Sequence, residues 1–140
     1  MRGPGTGKRA AGGRKVSFMK IQSYRDLEVW KVGMELAAQC YQVTKSLPKE
    51  ELFGLTNQIR RAAASVPANV AEGPGRNSTR EFLNHFSVAR GSLHELETHV
   101  LLAQQVGLLK ETQTQPVLQL SERISMMLSR LRQSLERRLD

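Results

Sequence analysis

Few side chains in this sequence could do acid–base, nucleophilic or metal chemistry, and their spacing argues against each. His85, His94 and His99 are separated by nine and five residues. At about 100° per residue these offsets fall on different faces of a helix, so one metal ion cannot collect all three. Cys40 is the single cysteine and lies on an apolar stripe with no general base beside it. It reads as a buried, inert thiol, and one cysteine rules out an intrachain disulfide framework. The run Gly3-Pro4-Gly5-Thr6-Gly7-Lys8 superficially resembles a phosphate-binding loop. Arg9 stands where that loop needs a metal-binding Ser or Thr, and no strand precedes it. Glu72, Glu95 and Glu97 could act as acid–base groups, but no metal motif accompanies them. Glu72 ends a polar flank made of Gln58, Arg61, Ser65 and Asn69, spaced three, four, four and three. On a neighbouring helix Arg90 and Glu97 border the apolar seam, with Glu95 further round, so pairing between the helices that fixes their register is the expected role. These readings leave no catalytic residue, no metal site and no cofactor, and an enzyme is not expected.

Basic side chains remain. The chain carries a net charge of +8, and residues 1–25 hold seven basic residues and no acidic one. The rest is almost balanced, so the excess belongs to the N-terminal segment. Arg123, Arg130 and Arg137 repeat at seven-residue intervals, about 10 Å apart along a helix, a line that could follow phosphates. Arg60, Arg76 and Arg80 are expected to add charge near the turn between the second and third helices. Two Tyr, one Trp and four Phe fall mostly on core stripes, which disfavours base stacking. Binding to RNA or DNA is therefore expected to be directed at the backbone and to depend strongly on salt. The competing reading is a protein-binding scaffold without a nucleic-acid role.

The elements that must position these groups are all helical. With 140 residues, 39% hydrophobic and 24% charged, one domain with one core is expected. Residues 1–22 are Gly-rich, basic and aperiodic and read as a disordered tail; Met19 suggests that residues 1–18 are an over-extended start. Residues 23–140 read as a bundle with helices over about 24–46, 51–72, 79–106 and 115–138. In the first helix Leu27, Trp30, Met34, Ala38 and Tyr41 recur at helical spacing, and Val29, Val32, Leu36, Cys40 and Val43 form a second row nearly opposite. Leu52, Leu55, Ile59, Ala62, Val66 and Val70 stripe the second helix, with Ala64 and Ala68 near its back and Pro67 inside it. Ser78 and Glu81 make a capping box for the third helix. Its stripe Phe82, Phe86, Ala89, Leu93, Leu96, Val100, Ala103 alternates four and three, while Val88 and Leu102 lie off that seam. Thr114 is the expected cap of the fourth helix, with Pro116 in its first turn.

Short links favour an antiparallel up-down-up-down four-helix bundle, an all-α fold. The second apolar row of the first helix (Val29, Val32, Leu36, Cys40, Val43) with Ala64, Ala68, Val88 and Leu102 is more apolar surface than a lone bundle needs. Self-association into a homo-oligomer through these residues is the expectation. No signal peptide or apolar run of membrane-span length is visible, and the expected location is cytoplasmic.

The segments DLEVWKVGMELAAQCYQVTKSLPKEELFGLTNQIRRAAASVPANVAEGPGR (26–76) and EFLNHFSVARGSLHELETHVLLAQQVGLL (81–109) resemble a known family. It is the four-helix-bundle family encoded by intervening sequences of bacterial 23S ribosomal RNA genes, which includes the accessory variability determinant of diversity-generating retroelements. The runs RRAAASVPANVAEG and ARGSLHELET carry the resemblance. It implies a four-helix bundle assembling as a homo-oligomeric ring, commonly a pentamer, and, for the accessory protein, binding to nucleic acid and to its reverse transcriptase. The basic segment 1–18 departs from the family pattern.

Overall fold

The structure, a computed structural model, describes residues 23–75 and 78–137. The basic N-terminal segment, its glycine–lysine run and Arg76 lie outside the described residues. Among those described there are four α-helices and no strand: α1 Glu28–Thr44, α2 Leu55–Glu72, α3 Thr79–Gln105 and α4 Glu111–Glu136. No described helix is long and apolar enough to cross a membrane.

Local chemistry sets the helix ends. Ser23 opens a short 3-10 turn ahead of α1: its Oγ accepts from the Arg25 amide at 3.1 Å, and its own amide donates to Asp26 Oδ2 at 3.2 Å. Ser78 Oγ accepts from the Glu81 amide at 3.1 Å and caps α3, the serine half of the expected capping box. α2 starts at Leu55, one turn later than the apolar stripe suggests, because Glu51 Oε1 takes the Leu55 amide at 3.1 Å. α4 starts one turn earlier than expected. Gln113 Oε1 accepts from the Lys110 amide at 2.9 Å and closes the first turn at that point. Thr114 is therefore not the cap. It is buried inside the helix, donating to Gln104 Oε1 at 2.6 Å. Between α3 and α4 the chain turns at Gly107, whose φ of 84° suits a residue without Cβ. There the Leu108 amide reaches back to the Ala103 carbonyl at 2.9 Å and satisfies the end of α3.

Each helix packs on its chain neighbours, and α1 closes against α4, giving a roughly square cross-section. Across α1 and α2, Gly33 lies against Pro67 and Thr44 accepts from Arg60. Across α2 and α3, Ser65 meets Ser92 and Asn69 meets His85. Across α3 and α4, Arg132 reaches Ser87, Arg90 reaches Ser129, and Gln104 meets Thr114. The centre is filled by Leu36, Ile59, Val66, Phe86, Leu96 and Ile124, all essentially without solvent contact. Fully burying each such side chain contributes roughly 1.5–3 kcal/mol before chain entropy is set against it.

The first helix turns its other face inward than the expected subunit contact requires. Val29, Val32, Leu36, Cys40 and Val43, expected at a subunit interface, are buried in this chain's own core. The row carrying Met34, Ala38 and Tyr41 faces out instead. The cause lies at the α1–α2 crossing. A Cβ at Gly33 would sit only 3.3 Å from Pro67 Cβ, so the helices meet closest on the glycine side of α1. That side carries Val29, Val32 and Leu36, and it leaves the bulkier Trp30, Met34 and Tyr41 at the rim and outside.

Candidate functional site

The candidate residues divide among three faces. On α4, Arg123, Arg130 and Arg137 are all exposed, and helix rise spaces them about 10 Å apart. Arg130 also borders a cleft of about 400 Å³ where the start of α1 meets α4, lined with Asp26, Leu27, Glu28, Val29, Met127 and Leu131. The Arg137 Nε donates to the Gln133 carbonyl at 3.3 Å, within its own helix. Arg80 is exposed in the first turn of α3.

Arg60 is not a free cation. Its Nε donates to Thr44 Oγ1 at 2.8 Å, and its guanidinium carbon lies 4.6 Å from the centre of the Tyr41 ring. Thr44 Oγ1 in turn donates to the Cys40 carbonyl at 2.7 Å. Arg60 thus ties the end of α1 to α2, through a hydrogen bond and a cation–π contact, and does not stand with the α4 row.

The expected polar network exists in part and is rearranged. Ser65 Oγ and Ser92 Oγ are 2.8 Å apart, and Asn69 Nδ2 donates to Ser65 Oγ at 3.1 Å and to the Ser65 carbonyl at 2.9 Å. Asn69 Oδ1 meets His85 Nδ1 at 3.3 Å, and His85 Nε2 lies 3.9 Å from Glu72 Oε1. Ser65, Asn69 and Glu72 are therefore joined to Ser92 and His85, two residues absent from the expected network. Arg90 and Glu97 turn the other way, to α4: Arg90 Nη2 donates to Ser129 Oγ at 3.0 Å, and Ser121 Oγ donates to Glu97 Oε2 at 2.5 Å. Glu95 lies 4.0 Å from His99 Nε2 on its own helix. Gln58 and Arg61 are exposed on α2. Small hydroxyls and amides, with Glu72 beside His85, knit the α2–α3 seam, and Arg90 and Glu97 instead fasten α3 to α4.

Cys40 is fully buried, and burial pushes its thiol from 9.0 up to about 12, which suppresses the thiolate. Among the described residues no group of three or more His, Cys, Asp or Glu could hold a metal ion.

Large apolar side chains are exposed on several faces, Leu101 of α3 and Met126 of α4 among them. On the α1/α2 face Met34 (47% exposed) and Tyr41 (46%) stand beside Ala64 and Ala68. On α3, Val88 (52%), Leu102 and Val106 form an outer row. Phe53, in the α1–α2 connection, is 88% exposed.

Fold and site describe an all-α four-helix protein whose distinctive surfaces are an arginine row and unpartnered apolar rows. The chain belongs to the 23S rRNA-intervening sequence protein family, whose model matches residues 25–130. It is similar to the crystal structure of a protein of unknown function from the S23 ribosomal protein family of Bacteroides thetaiotaomicron VPI-5482. That likeness has a TM-score of 0.69 at 23% identity, covers 74% of this chain and 97% of that one, and concerns the fold. No curated protein is significantly similar to the chain.

Proposed function

We propose that this is a cytoplasmic, non-enzymatic, up-down-up-down antiparallel bundle that assembles as a homo-oligomeric ring and binds nucleic acid through its basic surfaces. The antiparallel order is supported by the pairings: as residue numbers rise from Ser65 to Asn69 on α2, their partners fall from Ser92 to His85 on α3. Assembly is supported by the apolar rows left in solvent on α1, α2 and α3. The observation that carries the nucleic-acid reading is the line of exposed Arg123, Arg130 and Arg137 on one helix. A single row of three guanidinium groups is a weak ligand for a phosphate backbone. A ring repeats it, and several rows engaging one strand raise the avidity without a new contact. Such a protein suits an accessory role beside a nucleic-acid enzyme, of which a reverse transcriptase is one.

Filter binding of the full chain to single- and double-stranded RNA and DNA between 50 and 200 mM salt tests this. The reading predicts affinity that falls steeply with salt and little dependence on sequence. Binding that is absent at 50 mM, or that does not change with salt, contradicts it. A second reading, a protein-binding scaffold, is favoured by Phe53, whose ring has almost no contact within the chain. Loss of a captured protein partner on Phe53→Ser, with no nucleic-acid binding at low salt, would select that reading.

A further inference from the structure

We infer that the α1/α2 face is the socket of the assembly and that the outer row of α3 from a second copy fills it, with Glu95 of one copy reaching Arg60 of the next. This inference rests on the proposed homo-oligomer and names its contact surfaces. The socket carries Met34, Ala38, Tyr41, Ala64 and Ala68; Arg60 is the cation held there, over the Tyr41 ring, and the exposed Arg61 and Lys45 continue the α2 and α1 rows. The α3 row is Val88, Glu95, Leu102 and Val106, all exposed, with a single carboxylate between apolar positions. An apolar strip carrying an acid therefore faces an apolar groove that bears basic groups, Arg60 the one held in place.

The heights along the bundle match as well. In a closed ring whose axis runs along the bundle, equal levels of neighbouring molecules come together. The Gly33–Pro67 contact places Met34 level with Ala68, and the Thr44–Arg60 bond fixes Arg60 nearer the other end of the bundle. On α3, Val88 lies between His85 and Ser92, which face Asn69 and Ser65, so Val88 shares the level of Met34 and Ala68. Glu95 is one turn further along α3 than Ser92, in the direction of Arg60, so it comes level with Arg60. Leu102 and Val106 follow at the level of the α1–α2 connection, which bears the exposed Leu52 and Phe53. The two faces are neighbouring sides of a square bundle, with outward directions about 90° apart, and repeating the contact closes a ring at about four or five copies.

A charge swap tests the pairing. Sedimentation velocity on the full chain compares the unaltered protein with Arg60→Glu, Glu95→Arg and the double variant, circular dichroism verifying that each is folded. Each single change is expected to weaken association by about tenfold or more, because it sets like charges in a desolvated contact, and the double variant to restore most of it. Arg60 also holds Thr44, so Met34→Glu and Val88→Glu, at exposed positions, serve as independent disruptions expected to release monomers. If the unaltered protein is a monomer, the assembly reading fails and takes this inference with it. If it is an oligomer that neither Met34→Glu nor Val88→Glu disturbs, or if the folded double swap is no better than the singles, the inference alone is overturned.

Discussion

Removing the hydroxyl of Ser65 should destabilise the bundle through a side chain it leaves behind. Ser65 Oγ meets Ser92 Oγ at 2.8 Å and accepts from Asn69 Nδ2 at 3.1 Å. In Ser65→Ala, Asn69 keeps its bond to the Ser65 carbonyl at 2.9 Å, but Ser92, only 7% exposed, loses its cross-helix partner. A buried polar group left unpaired costs about 1–3 kcal/mol. The Ser92 hydroxyl can turn to the carbonyl one turn back on α3, which holds the loss near the lower end, about 1–1.5 kcal/mol. Ser92→Ala should cost less, about 0.5–1 kcal/mol, because Ser65 retains Asn69. The double variant removes both hydroxyls, so it should cost less than the two singles added together, with a coupling of about 0.5–1 kcal/mol. Urea titration of the four proteins at one fixed protein concentration measures this cycle. Strict additivity would show that the serines do not interact and would remove one of the two pairings that set the α2–α3 register.

Other consequences follow from single contacts. Replacing Arg123, Arg130 and Arg137 by Gln should weaken nucleic-acid binding at low salt. It should also flatten the dependence on log salt by about 0.7–0.9 for each phosphate no longer neutralised, read from filter binding. Cys40 should resist an aromatic disulfide reagent in the folded protein at pH 8 and react fully in denaturant. Its folded pKa of about 12 exceeds the 9.0 of an unperturbed thiol, so its contribution is intact below pH 9 and is lost as pH rises towards 12. Stability of the unaltered chain relative to Cys40→Ala should accordingly decline by roughly 1.4 kcal/mol per pH unit across that window. Gly73→Ala would put a methyl group 2.8 and 2.9 Å from the Phe82 ring, which is itself held edge-on against Phe86 at 4.8 Å. A loss of about 1–3 kcal/mol is expected in thermal melts, while Gly75→Ala, with nothing within 4 Å, should change stability by less than about 0.5 kcal/mol.

The fold was readable where one apolar stripe had no competitor. On α3 the unbroken alternation from Phe82 to Ala103 gave the buried face, and Ser78 gave the start. α1 carries two apolar rows on nearly opposite sides, and periodicity cannot say which turns inward. The answer came from a glycine, Gly33, and its close approach to Pro67, a contact between helices 34 residues apart in the chain. The polar network was legible on α2 but not on α3. His85 and Ser92 sit seven residues apart on the flank facing α2, a spacing that could have marked them. Arg90 and Glu97 stand out by charge, and their side chains reach α4. Arg60 has the look of a surface cation in the sequence, which does not reveal that Tyr41 and Thr44 lie beneath it.

The assembly that hides the apolar rows is the claim on which the rest depends, and sedimentation equilibrium of the purified full chain at micromolar concentration addresses it directly. The expected result is a discrete species at a small multiple of the 15.7 kDa chain mass, four- or fivefold. A single species of one chain mass across the concentration range would contradict it.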